Sequence, residues 1–190
     1  MVKIKICGIT DLKEAKIINQ FKPDYFGLVF AIGSHLVDIN NARKIRQEVD
    51  ASIPAVGVFV NAKFALIKQL VDAKIIQIAQ LHGRESAEDI KRIRTELKIP
   101  VIDVINEDKL HRNSDADYLM IDARISTVTR NQLTQVDSNL FVAGGINPKN
   151  AQKVIDETNP FAIDVSRGVE VDGKKNIELI REIMRKVHDN

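Results

Sequence analysis

Hydrophobic residues follow two alternating patterns along the chain. Short runs rich in β-branched residues, typical of buried strands, alternate with longer stretches in which apolar residues recur every three or four positions, as on one face of a helix. The runs that predict strands are residues 2–6, 25–30, 55–60, 75–80, 101–105, 118–121, 140–143 and 162–165. The stretches that predict helices are residues 11–20, 40–49, 62–71, 87–97, 148–157 and 174–187, with weaker patterns at 107–112 and 129–136.

Residues that favour helix starts support two of these boundaries. Asp11 stands before a predicted helix with Glu14 three positions later, which is the pattern of a capping box. Asn147 precedes Pro148, so that an N-cap residue comes before a proline at the first helical position. We therefore expect helices to begin at these two points.

Strands that alternate with helices predict a parallel sheet, because parallel strands need long crossover connections. About eight such units predict a compact (β/α)8 TIM barrel with short loops. A doubly wound open sheet is the alternative fold. The first predicted strand is not followed by a G-x-G-x-x-G turn, which argues against that alternative.

The composition argues against several classes of function. The 190-residue chain has 28 basic and 26 acidic residues, without the excess of positive charge typical of nucleic-acid-binding proteins. Its one cysteine excludes an internal disulfide and a zinc site built from several cysteines. No apolar run approaches the roughly 18 residues of a membrane span, and we see no signal-peptide pattern. We expect a cytoplasmic protein with one domain, residues 1–190, that binds neither nucleic acid nor membrane; its oligomeric state is not readable from the sequence.

Two glycine-containing segments follow the seventh and eighth predicted strands. Gly144 and Gly145 follow the seventh, and Ser166, Arg167 and Gly168 follow the eighth. Tandem glycines allow close approach of the backbone, and the N–H groups of a following helix attract phosphate. The alternative is that these glycines only make tight turns. Phosphate sites after strands seven and eight recur in this fold, so the pair of segments favours a phosphate site.

Cys7 and Asp122 come at the carboxyl ends of the first and sixth predicted strands, where functional residues of a barrel gather. A lone cysteine is more often a small buried hydrophobe, but Cys7 shares a strand face with Lys3 and Lys5, whose charge favours a reactive thiolate. Asp122 ends an apolar strand, where desolvation raises the pKa of a carboxyl group and lets it hold a proton. A helix N-cap or an exposed loop acid is the alternative for Asp122.

Four other polar residues at this rim have structural alternatives. His35 and His82 do not show the spacing of a zinc site, and we expect no metal. Asp164 is a candidate hydrogen-bond hub, and Asn61 is a candidate cap for the helix that follows it.

Together these residues resemble the phosphoribosylanthranilate isomerase family of tryptophan biosynthesis, in the same order over nearly the whole chain. The stretches that carry the resemblance are KICGIT (5–10), FGLVF (26–30), VGVFVN (56–61), QLHGRE (80–85), ID (121–122), AGGINP (143–148) and DVSRGVE (164–170).

The resemblance implies an Amadori rearrangement of N-(5-phosphoribosyl)anthranilate, a small phosphorylated substrate, to a 1-deoxyribulose product without metal or organic cofactor. It implies that Cys7 is the general base, which takes the C2 proton, and that Asp122 is the general acid, which protonates the ring oxygen. Asp164 matches a substrate-site aspartate. The resemblance assigns the phosphate to the backbone N–H groups of Gly144, Gly145, Ser166, Arg167 and Gly168.

The chain departs from the family pattern in two loops. The family arginine that faces the anthranilate is replaced by His35 or by Leu36, depending on whether Val37 or Ser34 anchors the alignment. Histidine lacks the bidentate fork that arginine offers a carboxylate. The glycine-rich loop that the family has after Asp122 is replaced by ARISTVTRNQ (123–132), which contains no glycine.

These departures leave three functional hypotheses open. The first is a working isomerase, and the second is a phosphate-binding barrel of the same descent with little or no turnover. The third is another sugar-phosphate enzyme on this barrel, such as a metal-dependent epimerase. The third would need convergent His and Asp ligands, which the four histidines do not provide.

Overall fold

The structure is a computed structural model that describes residues 1–105, 114–122 and 139–188. Eight parallel strands form a closed barrel in chain order, and β1 closes it by pairing with both β2 and β8. The strands are β1 (Lys3–Cys7), β2 (Tyr25–Val29), β3 (Ala55–Phe59), β4 (Ile78–Leu81), β5 (Val101–Ile105), β6 (Tyr118–Asp122), β7 (Leu140–Ala143) and β8 (Ala162–Val165). The predicted (β/α)8 barrel is confirmed, and the open sheet is wrong because the first and last strands are neighbours.

Helices follow six of the strands within the described ranges. They are α1 (Leu12–Phe21), α2 (Ile39–Glu48), α3 (Phe64–Asp72), α4 (Ala87–Arg92), α5 (Ala151–Thr158) and α6 (Ile177–His188). A short π-helix, Ile93–Leu97, continues α4, and a 3-10 turn, Arg167–Val169, follows β8. A hairpin of β9 (Glu170–Val171) and β10 (Lys174–Lys175) precedes α6. In the part of the chain that the structure describes, none of the helices has the length and apolar character needed to span a membrane.

The outer face of the barrel forms the main core with the helices. In β1 the isoleucines Ile4 and Ile6 point outward and are fully buried against this layer, while Lys5 and Cys7 occupy the inner face. The amphipathic helix α6 contributes Ile180 to the same core. Each fully buried side chain of this size stabilises the fold by about 1.5–3 kcal/mol. The alternation of lysine and isoleucine in β1 therefore separates the core from the barrel interior.

The barrel interior changes from apolar to polar along its axis. At the N-terminal ends of the strands, ring centroids lie 5.2 to 5.8 Å apart among Tyr25, Tyr118, Phe141 and Phe161. Interior positions at the carboxyl ends carry the polar side chains of Lys5, Cys7, Gln80, Asp122 and Asp164. Among the described residues, the polar side chains of the cleft therefore gather at one end of the barrel, and aromatic rings pack the other end.

The strand predictions agree closely with the observed strands. β5, β7 and β8 have the predicted bounds. β4 begins at Ile78, three residues later than predicted, because Ile75 and Ile76 are buried in the connection that leaves α3. Gln77 also belongs to this connection, where its side-chain oxygen accepts a hydrogen bond from the Ala55 N–H over 2.9 Å.

Two helices begin three residues later than predicted. The segment at Pro148 is a turn in which the Asn147 carbonyl accepts the N–H groups of Asn150 and Ala151, so that α5 begins at Ala151. α6 begins at Ile177 because Lys174–Lys175 pairs with β9 instead. The weaker predicted helices at 107–112 and 129–136 lie outside the described residues.

Candidate active site

A cleft of about 450 Å³ opens at the carboxyl ends of the strands. All nine residues that the sequence predicts for the site line it, namely Cys7, His35, Asp122, Gly144, Gly145, Asp164, Ser166, Arg167 and Gly168. Gln80, His82 and Met120 also line the cleft, although none of them is a predicted site residue. The structure thus brings residues from distant parts of the sequence into one site, and their roles stay predictions.

Lys5 lies beside Cys7, as its strand face predicts, and also pairs with Asp164, which the sequence does not predict. Its Nζ lies 3.0 Å from each carboxylate oxygen of Asp164, and its side chain is fully buried. Burial alone lowers the pKa of Lys5, but the charges of Asp164 and Cys7, with hydrogen bonds to both, outweigh it and raise that pKa above its ordinary value. The ammonium group is therefore retained at the floor of the cleft.

The thiol of Cys7 is buried next to this ammonium group. Burial raises the pKa of Cys7, and the charge of Lys5 acts in the opposite direction without cancelling the rise. Asp164 adds to the rise because its negative charge disfavours a thiolate. At neutral pH the neutral thiol is thus the resting form, and Lys5 is the group that favours its ionisation.

Gly27 and Gly8 leave room for two side chains of the cleft. A Cβ atom on Gly27, which pairs with Cys7 across β1 and β2, would lie 2.5 Å from the Cys7 Sγ. A Cβ atom on Gly8 would lie 2.9 Å from the ring of His35, and Gly8 also has a φ of +83°, which favours glycine. Because these two glycines lack side chains, the Cys7 thiol and the His35 ring both have space at the cleft.

His35, and not Leu36, occupies the cleft in the loop after β2. Leu36 forms a bridge with Val29 and is half-exposed outside the cleft lining. The His35 Nε2 lies 2.9 Å from Glu170 Oε1, and Glu170 also pairs with the buried Lys175. Burial acts to raise the pKa of Glu170, but Lys175 and His35 outweigh it and lower that pKa. The imidazole is thus held by an ionised carboxylate.

The two predicted phosphate segments approach each other closely. Gly144 and Gly145 have φ values of 101° and 69°, which residues with a side chain rarely adopt. A Cβ atom on Gly168 would lie only 1.8 Å from the carbonyl oxygen of Ile146. The backbone conformation therefore favours glycine at 144 and 145, and the contact between the segments requires it at 168.

The start of α5 differs from the expected set of free N–H donors. The Asn147 N–H donates to Asn150 Oδ1, the Lys149 N–H donates to Asn147 Oδ1, and the Asn150 and Ala151 N–H groups donate to the Asn147 carbonyl. The turn therefore already uses the N–H groups of Asn147, Lys149, Asn150 and Ala151. The candidate donors for a phosphate are those of the two glycine segments themselves.

Asp122 ends β6 and is buried, on the same interior face as Tyr118 and Met120. It lies across the register from Ala143, directly before Gly144. The loop after Asp122, with the departure at 123–132, lies outside the described residues. Among the residues that the structure describes, no three His, Cys, Asp or Glu side chains are grouped so that they could hold a metal ion.

Asn61 joins two loops and does not cap a helix. Its Oδ1 accepts a hydrogen bond from the Arg84 N–H over 2.7 Å, and its own N–H donates to Glu85. The N-cap position of α3 is Lys63, without a side-chain cap. The expectation of a capping role is therefore wrong.

Comparison with known proteins places these residues in a family. Residues 4–186 match the family described as N-(5'-phosphoribosyl)anthranilate (PRA) isomerase. The chain is 34% identical to the N-(5'-phosphoribosyl)anthranilate isomerase of Endomicrobium trichonymphae, with 97% of this chain and 98% of the relative covered. It is 33% identical to that of Clostridium acetobutylicum, with 98% of both chains covered.

Solved structures are similar over the full chain. The crystal structure of phosphoribosyl anthranilate isomerase from Thermotoga maritima has a TM-score of 0.86 at 28% identity, with 100% of both chains covered. A phosphoribosyl anthranilate isomerase in complex with reduced 1-(o-carboxyphenylamino)-1-deoxyribulose 5-phosphate has a TM-score of 0.85 at 30% identity, again with 100% of both chains covered.

Proposed function

The chain belongs to the N-(5'-phosphoribosyl)anthranilate isomerase family, and from this premise we propose that its cleft catalyses the Amadori rearrangement of N-(5-phosphoribosyl)anthranilate in tryptophan biosynthesis. The observation that carries the proposal is that Cys7, Asp122 and both glycine segments line one cleft. The product is 1-(2-carboxyphenylamino)-1-deoxyribulose 5-phosphate. We further propose that residues 1–190 act as one domain in the cytoplasm.

Asp122 and Cys7 act on neighbouring bonds of the ribose. Asp122 donates a proton to the ring oxygen, the bond from C1 to that oxygen breaks, and the nitrogen lone pair forms a C1–N double bond. The Cys7 thiolate then takes the C2 proton, the electron pair of that C–H bond forms a C1–C2 double bond, and the second pair of the C1–N double bond returns to nitrogen. Transfer of a proton from the resulting enol hydroxyl to C1 gives the ketone. No atom or electron is gained or lost, as an isomerisation requires.

Lys5 supports the ionisation of Cys7 on which the second step depends. Its ammonium group favours the thiolate, and its bond to Asp164 keeps it in place. The ammonium group of Lys5 thus places a positive charge beside the buried thiol, where burial disfavours the thiolate.

The remaining site residues bind the substrate. The backbone N–H groups of Gly144, Gly145, Ser166, Arg167 and Gly168 hold the phosphate, and the exposed Arg167 adds positive charge. Asp164 and His35 contact the rest of the substrate.

Turnover of the wild-type protein and two variants tests the catalytic roles. Cys7→Ala and Asp122→Asn should each lower kcat by about 10²–10⁴-fold, the range for loss of a general acid or base. Asp117→Asn is a matched control, because Asp117 lies at the opposite end of the barrel and pairs there with Arg94 at 2.8 Å. Absence of wild-type turnover, or full rates in both site variants, would contradict the assignment.

A phosphate-binding barrel without turnover is the second candidate function. The position of His35 favours it, because an imidazole held by Glu170 replaces the arginine of the family pattern. It predicts that the wild-type protein binds inorganic phosphate but does not convert the substrate, and that His35→Arg raises activity. Efficient wild-type turnover eliminates this candidate.

A further inference from the structure

Gln80 is a buried amide in the cleft whose hydrogen bonds are incomplete. It is 2% exposed, and its Nε2 donates only to the sulfur of Met120, over 3.4 Å. Within the described residues its Oε1 has no hydrogen-bond partner, and it is the one buried side-chain oxygen or nitrogen in this state. A buried amide of this kind costs free energy unless something else completes its bonds.

The position of Gln80 on β4 directs it into the cleft. Ile78, two residues earlier on the same strand face, packs in the barrel interior with Val56 and Ile102. Gln80 lies one step further toward the carboxyl end, in contact with Met120 and among the residues that line the cleft. An apolar side chain would leave no unpaired polar atom in this interior, so the amide points to a ligand that enters from the cleft.

We propose that Gln80 is a substrate-binding residue whose carboxamide accepts a hydrogen bond from a sugar hydroxyl. The inference rests on the proposed function, which brings a ribose phosphate between Cys7 and Asp122. A hydroxyl is the appropriate partner, because it donates to an amide oxygen without adding charge to the interior. The phosphate is held at β7 and β8, so the amide on β4 is left to contact the sugar.

Gln80→Met tests the proposal, because methionine has a similar length and removes the amide. The probe is reduced 1-(o-carboxyphenylamino)-1-deoxyribulose 5-phosphate, the ligand of the related complex, with inorganic phosphate as the probe that has no sugar. Gln80→Met should bind the reduced analogue about 10- to 100-fold more weakly, as expected when one buried hydrogen bond is lost. It should bind inorganic phosphate as the wild type does, and its melting temperature should be equal or higher.

Gln77→Met is the matched control. The Gln77 amide has partners at both ends, the Ala55 N–H and the Lys74 carbonyl. The same substitution there should lower the melting temperature and leave binding of the analogue unchanged. A structural role for Gln80 would instead make Gln80→Met behave like this control.

The outcomes separate this inference from the proposed function. Equal affinity of Gln80→Met and the wild type for the reduced analogue overturns the role of Gln80, whatever the turnover. Wild-type protein that binds the analogue through Gln80 but does not convert substrate overturns the isomerase function and leaves the binding role standing. A wild-type protein that does not bind the analogue overturns both.

Discussion

Lys5 Nζ lies 3.0 Å from both carboxylate oxygens of Asp164, although 159 residues separate them along the chain. The two residues lie on adjacent strands, with Lys5 fully buried and Asp164 lining the cleft, and Cys7 is the next interior residue of β1. Truncating one partner of such a pair leaves the other charge unpaired in the interior, which is strongly unfavourable. The charge balance of the candidate site therefore depends on Lys5 in the first strand and on Asp164 in the last strand.

Lys5→Met should raise the pKa of Cys7 further, because it removes the charge that favours the thiolate and leaves that of Asp164. The pH dependence of the Cys7 alkylation rate measures this pKa. The increase in rate with pH should occur at higher pH in Lys5→Met than in the wild type. Lys3→Met is the matched control, since Lys3 lies on the same strand face but sits 4.9 Å from the ring centroid of Phe161 at the opposite end. Identical alkylation profiles for the two variants would show that Lys5 does not act on Cys7.

Gly27→Ala should displace the thiol of Cys7, because the new Cβ atom would lie 2.5 Å from its Sγ. Misplacement of a catalytic group by about 1 Å costs on the order of 100-fold in rate, and overpacking costs about 1–3 kcal/mol of stability. Turnover and thermal unfolding measure the two effects. Gly33→Ala is the control, because a Cβ atom there meets nothing within 4 Å. Wild-type turnover by Gly27→Ala would mean that Cys7 does not need its observed position.

Gly168→Ala should separate the two glycine segments, because its Cβ atom would lie 1.8 Å from the Ile146 carbonyl oxygen. If the segments hold phosphate together, loss of a hydrogen bond to a charged group costs about 1.5–3 kcal/mol, or roughly 10- to 100-fold in affinity. Calorimetric titration with inorganic phosphate checks this, again with Gly33→Ala as control. Unchanged affinity would place the phosphate elsewhere.

Glu170 should make stability depend on pH in the acid range. Its pKa is lowered in the folded state, so its stabilisation is present above the ordinary glutamate pKa of about 4.3 and is lost as pH falls through the lower folded value. Glu170→Gln should lower the free energy of unfolding at neutral pH by about 3 kcal/mol, since Lys175 is left buried without its partner. It should also flatten the decline below pH ~4.3.

Glu157→Gln is the control for that measurement. Glu157 pairs with Lys153 at 3.8 Å on the exposed surface of α5, where an ion pair contributes about 0–1 kcal/mol. Denaturant unfolding at several pH values compares the two variants. Equal losses of stability would show that Glu170 acts as an ordinary surface charge.

Much of the fold was predictable because strand and helix patterns are local. The run at 101–105 predicts both bounds of β5 correctly. The apolar stretch at 75–80 instead includes three residues of the connection before β4. Ile75 and Ile76 are as apolar as strand residues, and only their packing in three dimensions distinguishes them. The start of α6 was missed for a related reason, because the pairing of Lys174–Lys175 with β9 competes with the helical pattern.

Site residues that stand at strand ends were predictable from the sequence. Site residues whose position depends on tertiary contacts were less predictable. Cys7, Asp122 and the glycines stand at strand ends, so the barrel itself brings them together. Gln80 belongs to the family-like stretch QLHGRE, but a single glutamine near the end of a strand does not by itself distinguish a ligand contact from a structural role. The choice between His35 and Leu36 depended on the bridge to Val29, which no local pattern reveals.

The pairing of β1 with β8 also sets when the protein becomes functional during synthesis. Until the ribosome has produced β8, the sheet has two open edges, and Lys5 is without the counter-charge of Asp164. A chain that stops before residue 162 therefore keeps open sheet edges, which favour aggregation. The last strand thus completes both the closure of the barrel and the charge pairing of Lys5.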